Sequence, residues 1–215
     1  MIDLYFWHTS NGRKISIMLE ELGLPYEVHK VAFASDDQLT PEFRSLNPYG
    51  KIPAIIDPDG PGGKPLPLAE SGAILLYLAE KTGRLIPADP AERWQCIQWL
   101  MFQMGGVGPL FGQLGHFFKF AADKVKDPYP TQRYVGESKR ILGVLEERLD
   151  GREHVMGDYS IADIAIFPWL RNLVGFYEAR EVVGFDAYAN VEAYLARCLE
   201  RPAVERGLKI PAAPA

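Results

Sequence analysis

Two short segments of the sequence carry residues suited to binding the main chain and the charged ends of a peptide. The first, residues 47–57, reads NPYGKIPAIID; the branched apolar run at residues 52–56 predicts a buried strand. Pro53 stands at its start, where a missing N–H is least harmful. The second segment, residues 68–78, reads LAESGAILLYL and predicts a helix with Ser71 as its N-cap.

This layout predicts a site with three complementary parts. A strand that begins Ile-Pro leaves main-chain groups near its end available to an extended peptide-like ligand. The helix that starts at Ser71 offers N–H groups and the positive end of its dipole to a carboxylate. Glu70, just outside that helix, accepts from an ammonium group. A short peptide with an α-amino acid head satisfies all three, although a strand, a turn and a capped helix that bind nothing would give the same pattern.

The elements that position these residues alternate between strand and helix before residue 83. The predicted elements are a strand at residues 2–6, a helix at 13–22 closed by Gly23, a strand at 26–31, a short helix at 41–46, the strand at 52–56, an antiparallel return strand after a turn-rich loop, and the helix from Ser71. Strand, helix, strand favours a parallel first pair. The order βαβαββα resembles a thioredoxin-type fold.

Beyond residue 90 the apolar periodicity is that of helices only. The predicted elements are a helix at residues 91–104, a break or kink at the GGVGP segment 105–109 with a resumption at 113–120, helices at 129–149, 160–170 and 190–201, and a last short helix from Pro202. Ser160 and Asp163 form a capping-box pattern before a helix that is apolar on all sides, which predicts a central position for it. The tail from Pro211 is expected to fray.

At this point the chain resembles the glutathione transferase superfamily over essentially its whole length. The residues responsible are Asn47-Pro48 with Lys51-Ile52-Pro53, then ESGAI at 70–74, then SIAD at 160–163, in the family's order. TSNG at 9–12, QMGGVGP at 103–109 and Arg133-Tyr134 look most like the bacterial Nu class, the glutathione-dependent disulfide-bond reductases. The resemblance implies an α/β thioredoxin-like glutathione-binding domain at 1–83, a linker at 84–90 and an all-α domain at 91–215.

The resemblance also implies a homodimer, a cis peptide before Pro53 and a site for reduced or oxidised glutathione. By that resemblance, Glu70 and Ser71 hold the γ-glutamyl head of glutathione, and Lys51 and Ile52 hold its middle. The remaining glutathione-binding residues it implies are Pro53, Asn11, Gln38 and Arg133, the last matching an arginine that reaches across the dimer. From the sequence alone, a solvated helical charge is the better interpretation of Arg133.

The loop after the first strand is where the resemblance places catalysis. A free thiol is mostly protonated at neutral pH, and donors aimed at the sulfur, with a helix N-terminus behind them, favour the nucleophilic thiolate. Thr9 and Asn11 occupy the positions used by the Nu class. Ser10 stands where many of these proteins have proline, so a serine-assisted thiolate remains an alternative, as does a purely structural loop. Tyr5 matches a catalytic tyrosine of other classes but is expected to pack within its strand.

The predicted activity is reduction of small disulfides through the thiolate of bound glutathione, with glutathione transferase or peroxidase activity as a side reaction. No cysteine lies in the loop, so the protein itself cannot form the mixed disulfide that a glutaredoxin uses. The alternatives are a conventional transferase that conjugates glutathione to an electrophile and a non-catalytic interaction module of the same fold. Phe111, His116 and Phe117 are expected near the electrophile, with His8 as a further neighbour.

Composition excludes several other classes. A formal net charge of −5 gives no electrostatic reason to expect nucleic acid or an anionic membrane as partner. No apolar run is long enough to span a bilayer, and the first residues lack a signal-peptide pattern, so we expect a cytoplasmic protein. Cys96 and Cys198 are expected to be buried and inert, and we expect no metal site, because no pair of histidines has ligand spacing.

Overall fold

The fold is described here from a computed structural model over residues 1–210; the tail predicted to fray from Pro211 lies outside the described residues. Contacts group the chain into two compact units. One contains Met1–Arg84 and the described residues after Glu200, and the other contains Leu85–Glu200. The predicted domain boundaries stay a prediction, because a grouping of contacts does not test independent folding.

The first unit is built on a four-stranded mixed sheet. Its strands are β1 (Ile2–Phe6), β2 (Tyr26–Lys30), β3 (Ala54–Asp57) and β4 (Leu66–Ala69). They lie in the order β2-β1-β3-β4, with β1 parallel to β2 and both β1 and β4 antiparallel to β3. The parallel pair and the antiparallel hairpin are both as predicted. The strand predicted at 52–56 begins two residues late, at Ala54, so the main chain of Ile52 lies outside the ladder.

The described part of this unit contains four α-helices: α1 (Ser10–Leu22), α2 (Pro41–Leu46), α3 (Ser71–Thr82) and α4 (Pro202–Leu208), of which α4 follows the second unit along the chain. Gly23 closes α1 in the left-handed conformation, as predicted. Helix α1 begins three residues earlier than predicted, because the Thr9 side chain caps it. Tyr5 packs against the buried cluster of Val31, Phe43, Ile52 and Ala54, which confirms its structural role.

The last helix, α4, is held tightly against α1 through a glycine. A Cβ on Gly207 would lie 2.7 Å from Ile17 Cα, closer than atoms in proteins approach. The Gly207 carbonyl also accepts from Ser16 Oγ at 2.8 Å and from the Arg13 guanidinium at 3.1 Å. The position of α1, and therefore of the loop that precedes it, depends on this close contact.

Gly207→Ala is expected to lower the free energy of unfolding by about 1–3 kcal/mol, because the added methyl overpacks a backbone contact. The matched control is Gly143→Ala, where a Cβ meets nothing within 4 Å of it. That substitution within a helix is expected to be neutral or to stabilise by up to about 1 kcal/mol. Urea unfolding followed by circular dichroism measures both, and equal effects of the two variants would contradict the prediction.

The second unit is helical throughout. Its helices are α5 (Pro90–Phe102), α6 (Gly108–Gly115), α7 (Tyr129–Leu149), α8 (Ile161–Arg171) and α9 (Ala189–Leu199). Ser160 caps α8, and Asp163 completes a capping box, as predicted. Every residue of α8 from Ile161 to Pro168 is buried, which confirms its central position. Asp163 Oδ1 accepts from Val155 N at 2.9 Å as well, and burial raises the pKa of its carboxyl.

The glycine-rich segment 105–109 does not break its helix. Instead, a turn of π-helix at Gln103–Val107 joins α5 to α6 without a change of hand. A second such turn, His116–Phe120, extends α6. The segment also contains Pro109, which lies in the first turn of α6, where its missing N–H is tolerated, and the widened turn before it absorbs the remaining strain. Within residues 1–210, no helix has the length and apolar character needed to cross a membrane.

Candidate functional site

The loop between β1 and α1 presents its side chains in two different ways. Thr9 Oγ1 accepts from Gly12 N at 3.1 Å, which fixes the hydroxyl at the N-terminus of α1 with its own proton directed elsewhere. Ser10 is the first residue of that helix and is only 7% exposed. Within the described chain its Oγ is buried without a hydrogen-bond partner. Thr9 and Asn11 are half-buried, so their polar groups are better placed than Ser10 to meet a ligand.

His8 and Arg13 fix the outer side of the same loop. The Arg13 guanidinium donates to His8 Nδ1 at 2.7 Å, and a guanidinium has no acceptor, so the imidazole proton lies on Nε2. Burial, together with the charges of Arg13 and Lys30, lowers the pKa of His8. Arg13 also donates to the Ile210 carbonyl. This arginine therefore ties the loop to the end of the described chain.

The segment before β3 is held in place by Asn47. Its Nδ2 donates to the Lys51 carbonyl at 2.7 Å, and its Oδ1 accepts from Tyr49 N at 3.1 Å. The Ile52–Pro53 peptide is cis, as predicted. Lys51 is exposed, with its ammonium 4.8 Å from the Tyr49 ring centroid. Asn47, buried at 6% exposure, thus orients the main chain at Tyr49 and Lys51.

Gln38 lies beside this segment, because Gly50 has no side chain that would clash with it. Gly50 has a positive φ of 66°, and a Cβ there would lie 3.0 Å from the Gln38 carbonyl oxygen. The Gln38 Nε2 donates to Asp36 Oδ1 at 3.3 Å. Its Oε1 is buried and meets no donor among the described residues. A buried amide oxygen without a donor is a natural acceptor for a ligand N–H.

At the start of α3 the structure corrects one prediction. Ser71 is the first helical residue, and the N-cap position belongs to Glu70, whose side chain forms no capping bond. Glu70 has φ 70° and ψ 113°, a backbone conformation that L-residues rarely adopt. Its carboxylate is exposed, while Ser71 is 2% exposed. The Glu70 carboxylate is therefore available at the surface, whereas the Ser71 side chain lies buried at the start of the helix.

Sequence reasoning missed Lys14, which completes this end of the site. The side chain is fully buried, and its Nζ donates to Ser71 Oγ at 3.2 Å. Burial lowers the pKa of Lys14 to about 7, against the opposing charge of Glu70. The available signal was its spacing: Lys14 precedes Met18 and Leu22 by one and two helical turns, so it lies on the apolar stripe of α1.

The predicted residues of the second unit are described within that unit only. Arg133 lies on α7 and is exposed. The Phe117 ring stacks on Tyr134 at 5.7 Å between centroids, and His116 contacts Phe117 edge-on at 5.0 Å. Phe111, which was expected to border an electrophile, is instead fully buried in the helical core. Its position on α6 turns it inward, so it offers no surface to a substrate.

Other reactive side chains are two cysteines and a cluster of possible metal ligands at the edge of the sheet. Cys96 and Cys198 are both buried without a disulfide, as predicted, and burial raises the pKa of the Cys96 thiol. Asp3, Glu27 and His29 bring one ligand atom each to within 4.8 Å of the others on the edge of the sheet. His29 Nε2 already pairs with Asp3 Oδ1 at 2.8 Å, and its ring stacks on Tyr5.

The four-stranded mixed sheet with its helices, followed by a helical unit, is the architecture of a known family. The chain matches the family model of the glutathione S-transferase N-terminal domain over residues 10–81 and that of the C-terminal domain over residues 108–202. These two ranges cover most of the chain, so the protein is a member of the glutathione S-transferase family. The predicted fold, a thioredoxin-like domain followed by a helical one, is that of this family.

Two curated relatives indicate which kind of family member this chain is similar to. The disulfide-bond oxidoreductase YfcG of Escherichia coli K12 is 43% identical over 97% of this chain and 94% of its own length. The disulfide-bond oxidoreductase YghU of the same organism is 40% identical over 96% of this chain and 73% of its own. Both names agree with the predicted resemblance to disulfide-bond reductases.

Two solved structures are more similar still. A glutathione transferase from Burkholderia graminis with two glutathione molecules bound per subunit is 64% identical, with a TM-score of 0.98 over 99% of this chain and 89% of that one. One from Pseudomonas putida with one glutathione disulfide bound per subunit is 62% identical, with a TM-score of 0.97 over 98% and 92% of the two chains.

Proposed function

We propose that the protein is a glutathione-dependent disulfide-bond oxidoreductase that reduces small disulfides. The observation that carries the proposal is the loop before α1, which supplies hydroxyl and amide groups but no cysteine, while Cys96 and Cys198 are buried. The nucleophilic sulfur must therefore come from a bound thiol. When bound, glutathione supplies that thiolate, and two glutathione molecules are oxidised to one glutathione disulfide for each substrate disulfide reduced to two thiols.

The residues of the first unit fit the parts of glutathione. Glu70, exposed at the start of α3, would accept from the γ-glutamyl ammonium, and Ser71 with the helix N–H groups would hold its carboxylate. The main chain at Ile52 and Pro53, outside the strand ladder, would pair with the cysteinyl part, with Lys51 beside it. The buried Gln38 Oε1 would accept an N–H of the peptide. Reduced and oxidised glutathione share all of these groups.

We assign thiolate stabilisation to Thr9 and Asn11 rather than to Ser10. The Thr9 hydroxyl accepts from the helix at its oxygen, so its proton is directed elsewhere and would serve a sulfur anion. Asn11 is the next half-buried polar side chain of the same turn. Ser10 is buried, and reaching a ligand would require its helix end to move. The dipole of α1 adds to the preference for the charged sulfur.

We further propose that the protein is a homodimer in which Arg133 reaches the glutathione of the other subunit. Trp94 and Met101, seven residues apart on α5, are 70% and 51% exposed, and so much apolar surface on one helix face favours a partner. Arg133 is exposed, which suits a residue that serves a neighbouring chain. The predicted cytoplasmic location is kept as part of the proposal.

Arg133→Ala is expected to raise KM for glutathione by about 3- to 30-fold, because it removes one charged contact to glutathione at a solvent-accessible position. The control is Lys139→Ala, which removes an exposed charge from a different face of α7. Light scattering on both variants verifies that the oligomeric state is unchanged. An unchanged KM in a dimeric Arg133→Ala protein would contradict the assignment of this arginine.

The test of the proposed function is a direct comparison of two substrates. Purified protein is assayed with glutathione and hydroxyethyl disulfide, and separately with glutathione and an aryl halide. Faster turnover of the disulfide is expected. Turnover of the aryl halide alone would favour a conventional transferase, and neither turnover nor a thermal shift with glutathione would favour an interaction module.

A further inference from the structure

Lys14 is a buried cation that the proposed reaction does not use. Its side chain has no exposure to solvent, and transferring an ammonium into a protein interior opposes folding by several kcal/mol unless it is compensated. It faces the N-terminus of α3, where its Nζ lies 3.2 Å from Ser71 Oγ. A charge kept at such a position indicates a role at that helix end.

When Lys14 is protonated, its hydrogen bond with Ser71 has a fixed direction. An ammonium has three donors and no acceptor, so Ser71 Oγ must accept. The hydroxyl proton of Ser71 consequently points away from Lys14. A carboxylate that approaches the end of α3 requires a donor in that orientation, and the reverse orientation would present a lone pair to it.

The local charges favour an added anion. Both the positive end of α3 and the Lys14 ammonium lie at this point, and the opposing charge that acts on Lys14 is the exposed carboxylate of Glu70. Burial lowers the pKa of Lys14 to about 7, so its charged and neutral forms coexist near neutral pH. A carboxylate beside it stabilises the charged form.

We propose that Lys14 is the positioning residue of the γ-glutamyl end of the site. Its ammonium holds the Ser71 hydroxyl as a donor towards the glutathione α-carboxylate, and binding of that carboxylate is coupled to proton uptake by the Lys14 amine. The inference rests on the proposed function, since it assumes that glutathione is the ligand. It adds a residue that touches no part of the ligand and acts through Ser71.

The elements packed against α1 carry further charged side chains. Helices α3 and α4 are the elements packed most extensively against α1. From α3, Glu70 is the carboxylate that acts on Lys14. At α4 and the residue before it, Arg206 pairs with Glu20 and Arg201 with Glu21, both on other positions of α1, while Glu205 pairs with Lys209.

The sign of the pH dependence follows from this linkage. The bound state has the higher pKa at Lys14, so binding is tightest where the amine is already protonated and weakens as pH rises through 7. For a bound-state pKa about 1.5 units higher, affinity falls roughly five- to tenfold between pH 6 and pH 8. S-methylglutathione is the probe, because it keeps the γ-glutamyl head but has no thiol to ionise.

The experiment is titration calorimetry of the dimeric protein with S-methylglutathione at pH 6, 7 and 8, in two buffers of different ionisation enthalpy. Wild-type protein is expected to take up a fraction of a proton at pH 7–8. Lys14→Met, similar in volume but uncharged, is expected to bind at least tenfold more weakly at pH 6, with a flat pH profile and no uptake. The control Lys126→Met, at an exposed site, should match wild type.

A purely structural role for Lys14 predicts a lower melting temperature for the free Lys14→Met protein. The inference predicts that Lys14→Met keeps or raises that temperature at pH 6, because the substitution removes a buried charge. Equal affinity and equal proton uptake in Lys14→Met and wild type would overturn the inference while leaving the proposed function intact. Wild-type protein that does not bind S-methylglutathione would overturn both.

A second measurement covers the case in which the variant does not fold. In protein labelled with ¹³C at lysine Cε, one lysine resonance of the free wild-type protein should titrate near pH 7, well below the ordinary lysine range near 10.4. Addition of S-methylglutathione should raise its midpoint by at least one pH unit. A midpoint that the ligand does not move would overturn the coupling without any substitution.

Discussion

Thr9→Ala is expected to raise the pKa of the bound glutathione thiol by about one to two units, the equivalent of one lost charge-assisted hydrogen bond of about 1.5–3 kcal/mol. At pH 7 the thiolate fraction then falls by up to about 10- to 100-fold, the full factor applying where the pKa of the wild-type thiol is above 7. A more basic thiolate is also more nucleophilic, which offsets roughly half of that loss on a logarithmic scale. We therefore expect kcat for hydroxyethyl disulfide to fall about 3- to 10-fold at pH 7 and to recover at high pH.

The shape of the pH profile separates this role from a structural one. Thr9→Ala also removes the cap of α1, which lowers the free energy of unfolding by about 1 kcal/mol at every pH, so a loss through instability alone would not recover at high pH. Thr9→Ser, which keeps the hydroxyl and the cap, should restore the wild-type profile. Ser10→Ala should leave kcat nearly unchanged, and a larger loss in Ser10→Ala than in Thr9→Ala would reverse the assignment of the two hydroxyls.

Ser71→Ala is expected to weaken glutathione binding by about 10- to 150-fold, corresponding to about 1.5–3 kcal/mol for a hydrogen bond to a charged group. The reacting sulfur lies at the other end of the peptide. The loss should therefore fall on KM, with kcat at saturating glutathione changed little, since a uniform binding contribution is removed. Titration calorimetry and steady-state kinetics measure the two quantities independently.

Ser45→Ala provides the matched control for Ser71→Ala. Ser45 is exposed on α2, and its hydroxyl donates to the Glu42 carbonyl of its own helix. The same chemical change there should leave both affinity and kcat within experimental error of wild type. A Ser71→Ala protein with unchanged affinity but reduced kcat would place the Ser71 hydroxyl near the chemistry and would contradict the assigned role.

Much of the fold was predictable because it depends on signals between near neighbours in the chain. Strand β1 and helices α2 and α7 have the predicted bounds. Proline, glycine and capping residues limit the backbone conformation of the residues beside them. The ends of helices and strands that carry such residues can therefore be predicted from the sequence. The capping box at Ser160 is of this kind, since its two side chains satisfy donors only three residues apart.

Residues of the candidate site could be proposed from the sequence, but their geometry could not. The family resemblance carried over Thr9, Gln38, Glu70 and Ser71, and their roles stay predictions. It gave no sign that Ser10 is buried or that Gln38 Oε1 lacks a donor in the described chain. Both facts depend on how α1 and the segment before β3 pack, and neither follows from the identity of a side chain.

By itself, then, the sequence determined the order of strands and helices, the family, and the absence of a cysteine from the loop that precedes α1. Only the tertiary structure decided that Ser71 is a helical residue that accepts from Lys14, that Glu70 adopts a positive φ, and that a lysine lies buried beneath the helix end. The physical reason is distance along the chain. Lys14 and Ser71 are 57 residues apart, and a hydrogen bond or a change in pKa between such residues exists only once the elements that carry them have packed together.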